Sequence, residues 1–293
     1  MKPLPRDHPN TTDLADPSGP AAAREALPRS ADNPHTSGQS QQRGDRRALK
    51  PFSDEDTPCG AQSSLDLSRG PRHVAFIVDG NRRWARAHGH PVEQGHREGA
   101  DNVCRAVHWC EAMGIETTTW WLLSTDNLSR SAAELHKLLD IISELTHRLA
   151  ASGHWRMRHL GDPRLLPNSV ATALGEAETT TRHNQGPQIN FAVGYSGRED
   201  ILAAARRIAH QAVKSTSFSV SERSFAQALS TGGLPDPDLV IRTSGEQRLS
   251  GFMLWQAALS ELYFCPVLWP DFTESDLHRA LAFYANRQRR FGK

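Results

Sequence analysis

The stretch His73–Asp79, HVAFIVD, decides how the rest of the chain is interpreted. Its first six residues, His73–Val78, form a short and almost entirely apolar run, which is typical of a β-strand buried on both faces. Such strands occur in parallel sheets that carry helices on both sides. Asp79 follows directly, at the carboxyl end of the predicted strand, where ligand sites of these sheets lie.

Strand and helix signals alternate from this run towards the end of the chain. The predicted strands cover residues 73–78, 115–123, 156–161, 188–195, 238–243 and 267–272. The predicted helices cover about 97–113, a segment opened by the S-x-x-E capping box of Ser131 and Glu134, 198–213, 252–264 and 274–289. We therefore expect one α/β domain with a central, mostly parallel sheet flanked by helices.

Residues 1–70 differ from the remainder in composition. They hold nine of the 18 prolines, a single aromatic residue (Phe52) and no tryptophan, whereas all seven tryptophans follow His73. Such a segment cannot bury enough apolar surface to offset the entropy lost on ordering. We expect a disordered tail over 1–70, for which a docking or regulatory role stays open, and one folded domain over 71–293.

The composition of the whole chain excludes several classes of protein. Of 293 residues, 38% are hydrophobic and 23% are charged, and the formal net charge is +1. This balance argues against nucleic-acid binding through bulk charge and against a polybasic membrane anchor. No apolar run approaches the roughly 20 residues that cross a bilayer. The first 20 residues lack the apolar core of a secretory signal and the four cysteines form no CxxC pair, so we expect reduced thiols in the cytoplasm.

Polar clusters follow three of the predicted strands. They are Asp79–Trp84 (DGNRRW), Ser124–Arg130 (STDNLSR) and Arg242–Ser250 (RTSGEQRLS). An Asp at a strand end can hold Mg²⁺, and Arg binds phosphate oxygens in pairs. Each cluster alone is also typical of a turn with solvated side chains. Because they share one edge of a parallel sheet, together they predict a site for Mg²⁺ and phosphorylated ligands.

Several motifs resemble those of the cis-prenyltransferases, also called isoprenyl transferases. They are HVAFIVDGNRRWA, GHREGA, LLSTDNLSR, VGYSGRED, PDPDLVIRTSGEQRLSGFMLWQAALSELYF and WPDF, and the likeness runs from His73 to Gly292 in the family's order. The resemblance implies a homodimeric α/β catalytic domain. It also implies a Mg²⁺-dependent condensation of isopentenyl diphosphate with an allylic diphosphate, which forms Z double bonds.

The resemblance further implies roles for individual residues. Asp79 would be the catalytic aspartate that positions Mg²⁺, and Glu261 a second metal residue contributed by the partner subunit. Asn127 matches the residue assigned as proton acceptor, but an amide is a poor base. We therefore expect the released diphosphate to take the proton while Asn127 positions it. The residues implied in substrate binding are Gly80, Asn81, Arg82, Arg83, Trp84, His96, Ser124, Thr125, Asp126, Leu128, Arg130, Arg242, Arg248, Leu249 and Ser250. The segment Arg290–Gly292 resembles the family's RxG ending.

Leu122 is predicted to limit the length of the product. If the strand over 115–123 stays extended, Leu122 shares a face with Ser124 and meets the start of the hydrocarbon chain. Related undecaprenyl enzymes tend to carry Ala here, and a Leu adds volume to a close-packed wall. Arg82 and the motif LLSTDNL also resemble the short-chain, actinobacterial type. We expect a short product such as (2Z,6E)-farnesyl diphosphate, made from a geranyl or farnesyl diphosphate primer.

Other interpretations stay open at this point. Leu122 could pack in the core while a wider wall elsewhere admits a long undecaprenyl or decaprenyl product. Branching or cyclising relatives share the fold. A non-catalytic partner subunit is a further alternative, although the presence of Asp79, Asn127 and Arg242 argues against it. Peripheral contact of the enzyme with a membrane is also left open.

Overall fold

The computed structural model describes residues 70–214 and 219–287. Within these ranges the strands are β1 (His73–Ile77), β2 (Thr117–Ser124), β3 (Arg156–Leu160), β4 (Gln188–Tyr195), β5 (Leu239–Arg242) and β6 (Glu261–Phe264). The helices are α1 (Asn81–Ala87), α2 (Val92–Ala112), α3 (Ala132–Ala150), α4 (Asn168–Thr181), α5 (Gly197–Lys214), α6 (Glu222–Ala228) and α7 (Glu274–Ala285). The tail predicted over 1–70, except Gly70, and the Arg290–Gly292 ending lie outside the described residues.

The strands form one sheet in the order β3-β4-β2-β1-β5-β6. Every neighbouring pair in it is parallel, which confirms the predicted sheet. All five residues of β1 are buried, and this strand lies between β2 and β5. Ile77 is level with Trp121 of β2 and with Arg242 of β5. The carboxyl ends of these three strands therefore lie side by side.

Apolar side chains pack against both faces of the sheet. Phe76 belongs to the larger cluster, where its ring stacks on Trp120 with centroids 4.1 Å apart. Its neighbours Ala75 and Ile77 belong to a smaller cluster on the other face. This alternation is the period of a strand that is covered on both sides. Helices α2, α3, α4 and α7 supply much of the larger cluster.

The helix predicted after Ser131 is α3, but its capping box is only half formed. The Ser131 hydroxyl accepts a hydrogen bond from the backbone N–H of Glu134 at 3.4 Å. The Glu134 carboxylate does not return to the backbone of Ser131, and contacts the cations described below instead. Helix α2 begins at Val92, earlier than predicted, because Pro91 occupies its N-cap with a φ of −58°.

The helix predicted over 252–264 is wrong. Only Gln256–Leu259 form a helical turn there, of the 3₁₀ type, and Glu261–Phe264 form β6. Ser250 and Met253 have φ angles of 50° and 45°, which interrupt α-helical geometry. Pairing with β5 satisfies the backbone groups on one side of β6, and this tertiary hydrogen bonding overrides the local helical pattern.

The strand predicted over 267–272 is also wrong, since Trp269–Asp271 form a 3₁₀ turn. Pro270 lacks the backbone N–H that a sheet ladder requires. The side-chain amide of Asn102 donates to the carbonyls of Trp269 and Phe272, at 2.8 and 2.9 Å. These bonds replace a ladder and fasten the turn to α2.

The short helices α1 and α6 and the longer α4 were not among the predicted elements. In α4 the signal was present, because Val170, Ala173, Leu174 and Ala177 recur at helical spacing and are buried. Among the helices of the described ranges, none is both long and apolar enough to cross a membrane.

Candidate active site

A cavity of about 440 Å³ lies where β1, β2 and β5 end. Its lining consists of Ile77, Val78, Asp79, Gly80, Asn81, Arg82, Arg83, Arg86, His96, Trp121, Leu122, Leu123, Ser124, Asp126, Asn127, Arg130, Leu138, Arg242 and Ser250. The cavity thus receives residues from all three predicted polar clusters. It also has an apolar part that the clusters did not predict.

Asp79 and Arg242 form an ion pair on the polar side of the cavity. Arg242 Nη2 donates to Asp79 Oδ2 at 3.0 Å, and Arg83 Nη2 lies 3.7 Å from the same oxygen. Arg242 Nη1 donates to the hydroxyl of Ser250 at 2.8 Å and to the carbonyl of Arg248. The side chain of Arg242 is only 5% exposed. A fixed positive charge next to a carboxylate suits a ligand that carries both phosphate oxygens and a metal.

The turn that carries Asp79 is held by Thr243. The Thr243 hydroxyl accepts from the Asp79 N–H at 3.0 Å and donates to the Asp79 carbonyl at 2.7 Å. Gly80 has a φ of 118°, and a Cβ on it would lie 3.0 Å from the Cα of Leu268. Only glycine fits this position without strain. Helix α1 starts at the next residue, Asn81, so the polar cluster itself forms the start of a helix.

Two arginines and a histidine surround one carboxylate oxygen, Glu134 Oε1. Arg130 Nη1 lies 3.3 Å from it, Arg82 Nε 3.4 Å and His96 Nε2 3.6 Å. His96 is 6% exposed. Burial and the neighbouring Arg130 lower the pKa of His96, although Glu134 opposes this, so the imidazole is neutral near pH 7. Burial, followed by the charge of Arg82, also lowers the pKa of Arg130.

Six buried side-chain nitrogen and oxygen atoms of the described residues lack a hydrogen-bond partner. They belong to Asn81, His96, Glu134, Arg242 and Ser244. Asn81, His96 and Arg242 line the cavity. Ser244 follows Arg242 by two residues, and its carbonyl accepts from Arg83. Because unpartnered buried polar atoms are uncommon in folded proteins, their concentration here indicates a polar ligand.

Asn127 lies in a 3₁₀ turn, Asp126–Ser129, directly after β2. Its backbone N–H donates to the hydroxyl of Ser124 at 3.1 Å, which fixes the turn to the strand end. Both residues line the cavity. An amide at this point can donate to an anion and accept from a donor, but it cannot take up a proton near neutral pH.

The apolar part of the cavity is formed by β1, β2 and α3. Its side chains are Ile77, Val78, Trp121, Leu122, Leu123 and Leu138. Pairing with β4 shifts register on both sides of Leu123, so β2 carries a bulge around Leu122. The unbroken alternation assumed for Leu122 and Ser124 is therefore absent. Leu122 nevertheless lines the same cavity as Ser124, so its proposed effect on product length stays a prediction.

Asp79 fits a magnesium site that a phosphorylated ligand completes. Its carboxylate is 34% exposed and faces the cavity. Mg²⁺ in proteins often takes one or two carboxylates together with water and substrate phosphates. Among the described residues, no three His, Cys, Asp or Glu side chains are grouped as metal ligands. Oxygens of the ligand would therefore have to supply much of the coordination.

Comparison with known proteins gives the family. The sequence profile described as "Putative undecaprenyl diphosphate synthase" matches residues 77–292. The chain belongs to the cis-prenyltransferases. A (2Z,6E)-farnesyl diphosphate synthase of Thermobifida fusca is 50% identical over 238 residues, which cover 79% of this chain and 93% of that protein. Isoprenyl transferase 1 of Streptomyces avermitilis is 49% identical over 239 residues, covering 79% of this chain and 92% of that protein.

Solved structures of other cis-prenyltransferases share the fold. Lavandulyl diphosphate synthase from Lavandula x intermedia, in complex with dimethylallyl diphosphate, is 38% identical with a TM-score of 0.73. The match covers 77% of this chain and 100% of that chain. A probable undecaprenyl diphosphate synthase from Campylobacter jejuni is 26% identical, with a TM-score of 0.64 over 76% of this chain and 99% of that chain. These matches confirm the predicted fold class.

This cis-prenyltransferase gathers most of the predicted site residues in one cavity. Those in its lining are Asp79, Gly80, Asn81, Arg82, Arg83, His96, Leu122, Ser124, Asp126, Asn127, Arg130, Arg242 and Ser250. Those outside it are Trp84, Thr125, Leu128, Arg248, Leu249 and Glu261. Trp84 Nε1 donates to Asp271 at 2.7 Å, and Leu128 and Leu249 pack against the two apolar clusters. The exposed side chain of Arg248 pairs with Glu246.

Glu261 lies far from Asp79 within one chain. It is the first residue of β6 and is level with Leu239 of β5. Leu239 is in turn level with Val74, near the amino end of β1. Val74 precedes Asp79 by five residues, or about 16 Å of extended strand. The Glu261 carboxylate accepts instead from Arg287 Nε at 3.0 Å. A single subunit therefore does not bring the two acidic residues together.

Three kinds of site feature were not predicted from the sequence. They are the apolar lining, the hydrogen bonds of Thr243 to the Asp79 backbone and the contacts of the Glu134 carboxylate; the lining residues concerned are Ile77, Val78, Trp121, Leu123 and Leu138. For Thr243 a signal existed, because a hydroxyl directly follows Arg242 at a strand end. For Glu134, the capping-box pattern with Ser131 already accounted for a glutamate at this position. No contact with residues distant in the sequence was therefore predicted.

Proposed function

We propose that the chain is a Mg²⁺-dependent enzyme that condenses isopentenyl diphosphate with geranyl or farnesyl diphosphate. The proposed product is short, such as (2Z,6E)-farnesyl diphosphate. The observation that carries this is a cavity with two chemically different parts. Arginines such as Arg83 and Arg242 line one part, and Leu122 and Leu138 line the other. A diphosphate head with a hydrocarbon tail matches both. The name of the Thermobifida fusca relative agrees with this substrate class.

The two head groups are assigned to the two arginine groups. The allylic diphosphate would contact the start of α1, with Arg82, Arg83 and Arg130 around it. Isopentenyl diphosphate would contact Arg242, Ser250 and the nearby Arg248. The bonds from Arg242 Nη1 to the Ser250 hydroxyl and the Arg248 carbonyl support this pairing. Separate cationic groups are needed because two diphosphates repel each other.

The chemistry follows from these positions. When bound at Asp79, Mg²⁺ would neutralise charge on the diphosphate. The allylic C–O bond breaks, and arginines stabilise the charge that develops on the leaving diphosphate. The π electrons of isopentenyl diphosphate form the new C–C bond to the allylic cation. A proton then leaves the adjacent carbon, the Z double bond forms, and the released diphosphate takes that proton. Asn127, fixed to Ser124, would orient the acceptor.

The size of the cavity supports a short product. Ligand pockets commonly measure about 300–1,000 Å³, and 440 Å³ lies in the lower part of this range. Leu122 and Leu138 stand on two different elements that meet at the apolar part. A growing chain would have to displace close-packed side chains there, which is unfavourable.

We further propose a homodimer in which Glu261 serves the partner's site. Strand β6 is an edge of the sheet, and Leu259 just before it is 75% exposed. An exposed edge with an apolar neighbour is suited to an interface. We place the enzyme in the cytoplasm, since the free thiols Cys104, Cys110 and Cys265 suit a reducing compartment.

The test is product analysis with purified protein, Mg²⁺ and labelled isopentenyl diphosphate. Dimethylallyl, geranyl and E,E-farnesyl diphosphates are supplied separately as primers. The expected result is a fifteen-carbon Z product from geranyl diphosphate. A ladder to about fifty carbons from farnesyl diphosphate would replace the short-chain proposal with a long-chain one. Branched products would favour the lavandulyl type of reaction, and no turnover would favour a non-catalytic partner subunit.

A further inference from the structure

Glu134 stands behind the cavity wall, between three residues that form the wall. Its Oε1 atom lies 3.3 Å from Arg130, 3.4 Å from Arg82 and 3.6 Å from His96. These three side chains line the cavity, whereas Glu134 does not. The carboxylate therefore acts on a ligand only through its neighbours.

The neighbours of the Glu134 carboxylate are close to Oε1 but form no hydrogen bond with it. Although three cationic or polar groups approach Oε1, this buried atom makes no hydrogen bond, and neither does either ring nitrogen of His96. The Glu134 side chain is 18% exposed and lies against two guanidinium groups, which makes it poorly suited to a metal because the cations compete for its oxygens. It is well suited to holding the cations themselves.

Arg82 and Arg130 would repel each other without a shared anion. The positive charge of Arg82 already contributes to lowering the pKa of Arg130. The side chain of Arg82 is 43% exposed, so it has space to turn towards solvent. Arg130 directly precedes the N-cap Ser131, and Glu134 lies in the first turn of α3, so this ion pair joins the helix to the turn before it.

We propose that Glu134 is a positioning residue for the allylic diphosphate: it holds Arg82 and Arg130 side by side at the cavity wall. This deepens the proposed function and rests on its assignment of the allylic head group. Glu134 lies in the first turn of α3, where its backbone N–H donates to the Ser131 hydroxyl. This hydrogen bond fixes the position from which the carboxylate extends. The two arginines can then meet a diphosphate without a further loss of side-chain entropy.

The direction in which diphosphate affinity changes when the Glu134 charge is removed distinguishes positioning of the arginines from direct charge repulsion. A carboxylate near a diphosphate repels it, so removal of the charge alone would tighten binding. Loss of positioning would weaken binding, because the two guanidinium groups separate. The proposal requires the second effect to be larger.

The test compares Glu134→Gln with wild type and with Glu144→Gln. Glu144 is on the same helix and pairs with Arg97 at the surface, so it is a matched control for loss of one carboxylate. For Glu134→Gln we expect the KM for the allylic substrate to rise about tenfold, with the KM for isopentenyl diphosphate changing less than about twofold. Calorimetric titration with inorganic diphosphate should show weaker binding by a similar factor. Glu144→Gln should match wild type in both measurements.

A tighter or unchanged affinity of Glu134→Gln for inorganic diphosphate would overturn the proposal, and so would equal increases of the two KM values. Binding is measured without turnover, so it tests Glu134 even if wild type forms no prenyl product and the proposed function fails. A double-mutant cycle with Arg82→Lys supplies a second measurement. Positioning predicts strongly non-additive effects on diphosphate affinity, and additive effects would contradict it. Circular dichroism and thermal unfolding confirm that each variant is folded.

Discussion

At the two ends of its parallel strands, the sheet carries buried polar side chains that differ in whether they find hydrogen-bond partners. We call these two ends the amino edge and the carboxyl edge. At the amino edge, His73 Nδ1 lies 2.8 Å from the carbonyl of Pro235 and Nε2 lies 2.8 Å from the hydroxyl of Thr119. Thr119 also accepts from the amide of Asn190 at 3.0 Å. A carbonyl can only accept, so Nδ1 carries the hydrogen and Nε2 accepts from Thr119. The hydrogen bonds of these buried groups are therefore made within the fold.

At the carboxyl edge the corresponding groups are left incomplete. Asn81 Oδ1, Arg242 Nε and both nitrogens of His96 are buried without partners. The same sheet therefore has one edge whose polar groups bond to one another and one at which buried polar groups have no hydrogen-bond partner in the part of the chain that the structure describes. The difference teaches that burial of a polar residue does not by itself indicate function. What matters is whether the protein supplies its hydrogen bonds.

The largest expected effect is at the carboxyl edge. Asp79→Asn should lower kcat/KM by about 10²- to 10³-fold, because it removes the charge that pairs with Arg242 and, on our proposal, would hold Mg²⁺ at the diphosphate. Steady-state kinetics at saturating Mg²⁺ measures this. Asp101→Asn, which loses only the surface pair with Arg148, should retain wild-type activity. Similar activity of both variants would contradict the assignment of Asp79.

At the amino edge the expected effect is on stability and depends on pH. Burial lowers the pKa of His73 to about 4, against about 6.5 when unfolded. The folded state therefore favours the neutral ring, and this contribution is complete above pH 6.5. It is lost as pH falls from 6.5 to 4, by about 3 kcal/mol in total.

Urea unfolding of wild type and His73→Gln across this pH range measures the contribution of His73. The free energy of unfolding of wild type should fall more steeply with decreasing pH than that of the variant. Parallel curves would mean that His73 does not titrate as its surroundings indicate. Diphosphate affinity of the variant should be unchanged at pH 7.5, where both proteins are folded.

Asn127→Asp examines whether the amide positions or abstracts. A carboxylate at this point of the cavity would repel the diphosphate that we propose the amide orients, and we expect kcat to fall about tenfold. Proton abstraction by this side chain predicts the reverse, since a carboxylate is the better base. Unchanged or higher activity of Asn127→Asp would therefore remove the positioning role of the amide.

The smallest expected effect is on product length. Leu122→Ala should shift the product distribution upward by one or more five-carbon units, because it widens the apolar part of the cavity. Leu139→Ala is the control, since Leu139 is buried in α3 but does not line the cavity. It should lower stability without lengthening the product. Identical distributions for wild type and Leu122→Ala would end the chain-length argument.

The polar part of the site was predictable from the sequence for a simple physical reason. Ser124 and Arg242 end their strands and Asp79 follows β1 by two residues, and parallel strands bring their carboxyl ends to one edge. Local pattern and spacing are sufficient for that inference. The alternation of strand and helix patterns likewise predicted the fold class, which the parallel sheet of the structure confirms.

Features that depend on tertiary pairing were not predictable. The segment Glu261–Phe264 has a helical pattern but pairs with β5, a long-range partner that the local pattern does not contain. The bulge near Leu122 arises from its register with β4, which the sequence of β2 does not contain. Glu134 gained its contacts from α1 and α2, and a local capping pattern could not reveal them.

The central claim is that the carboxyl edge binds a diphosphate and the amino edge does not. Thermal unfolding with and without excess inorganic diphosphate and Mg²⁺ tests it directly in wild type, Arg242→Gln and His73→Gln. A ligand at about 100 times its Kd stabilises the folded state by about 2.7 kcal/mol. We predict a raised melting temperature for wild type and His73→Gln, and a clearly smaller rise for Arg242→Gln, which keeps only the arginine group of Arg82 and Arg130. An equal rise in all three proteins, or none in wild type, would contradict the account.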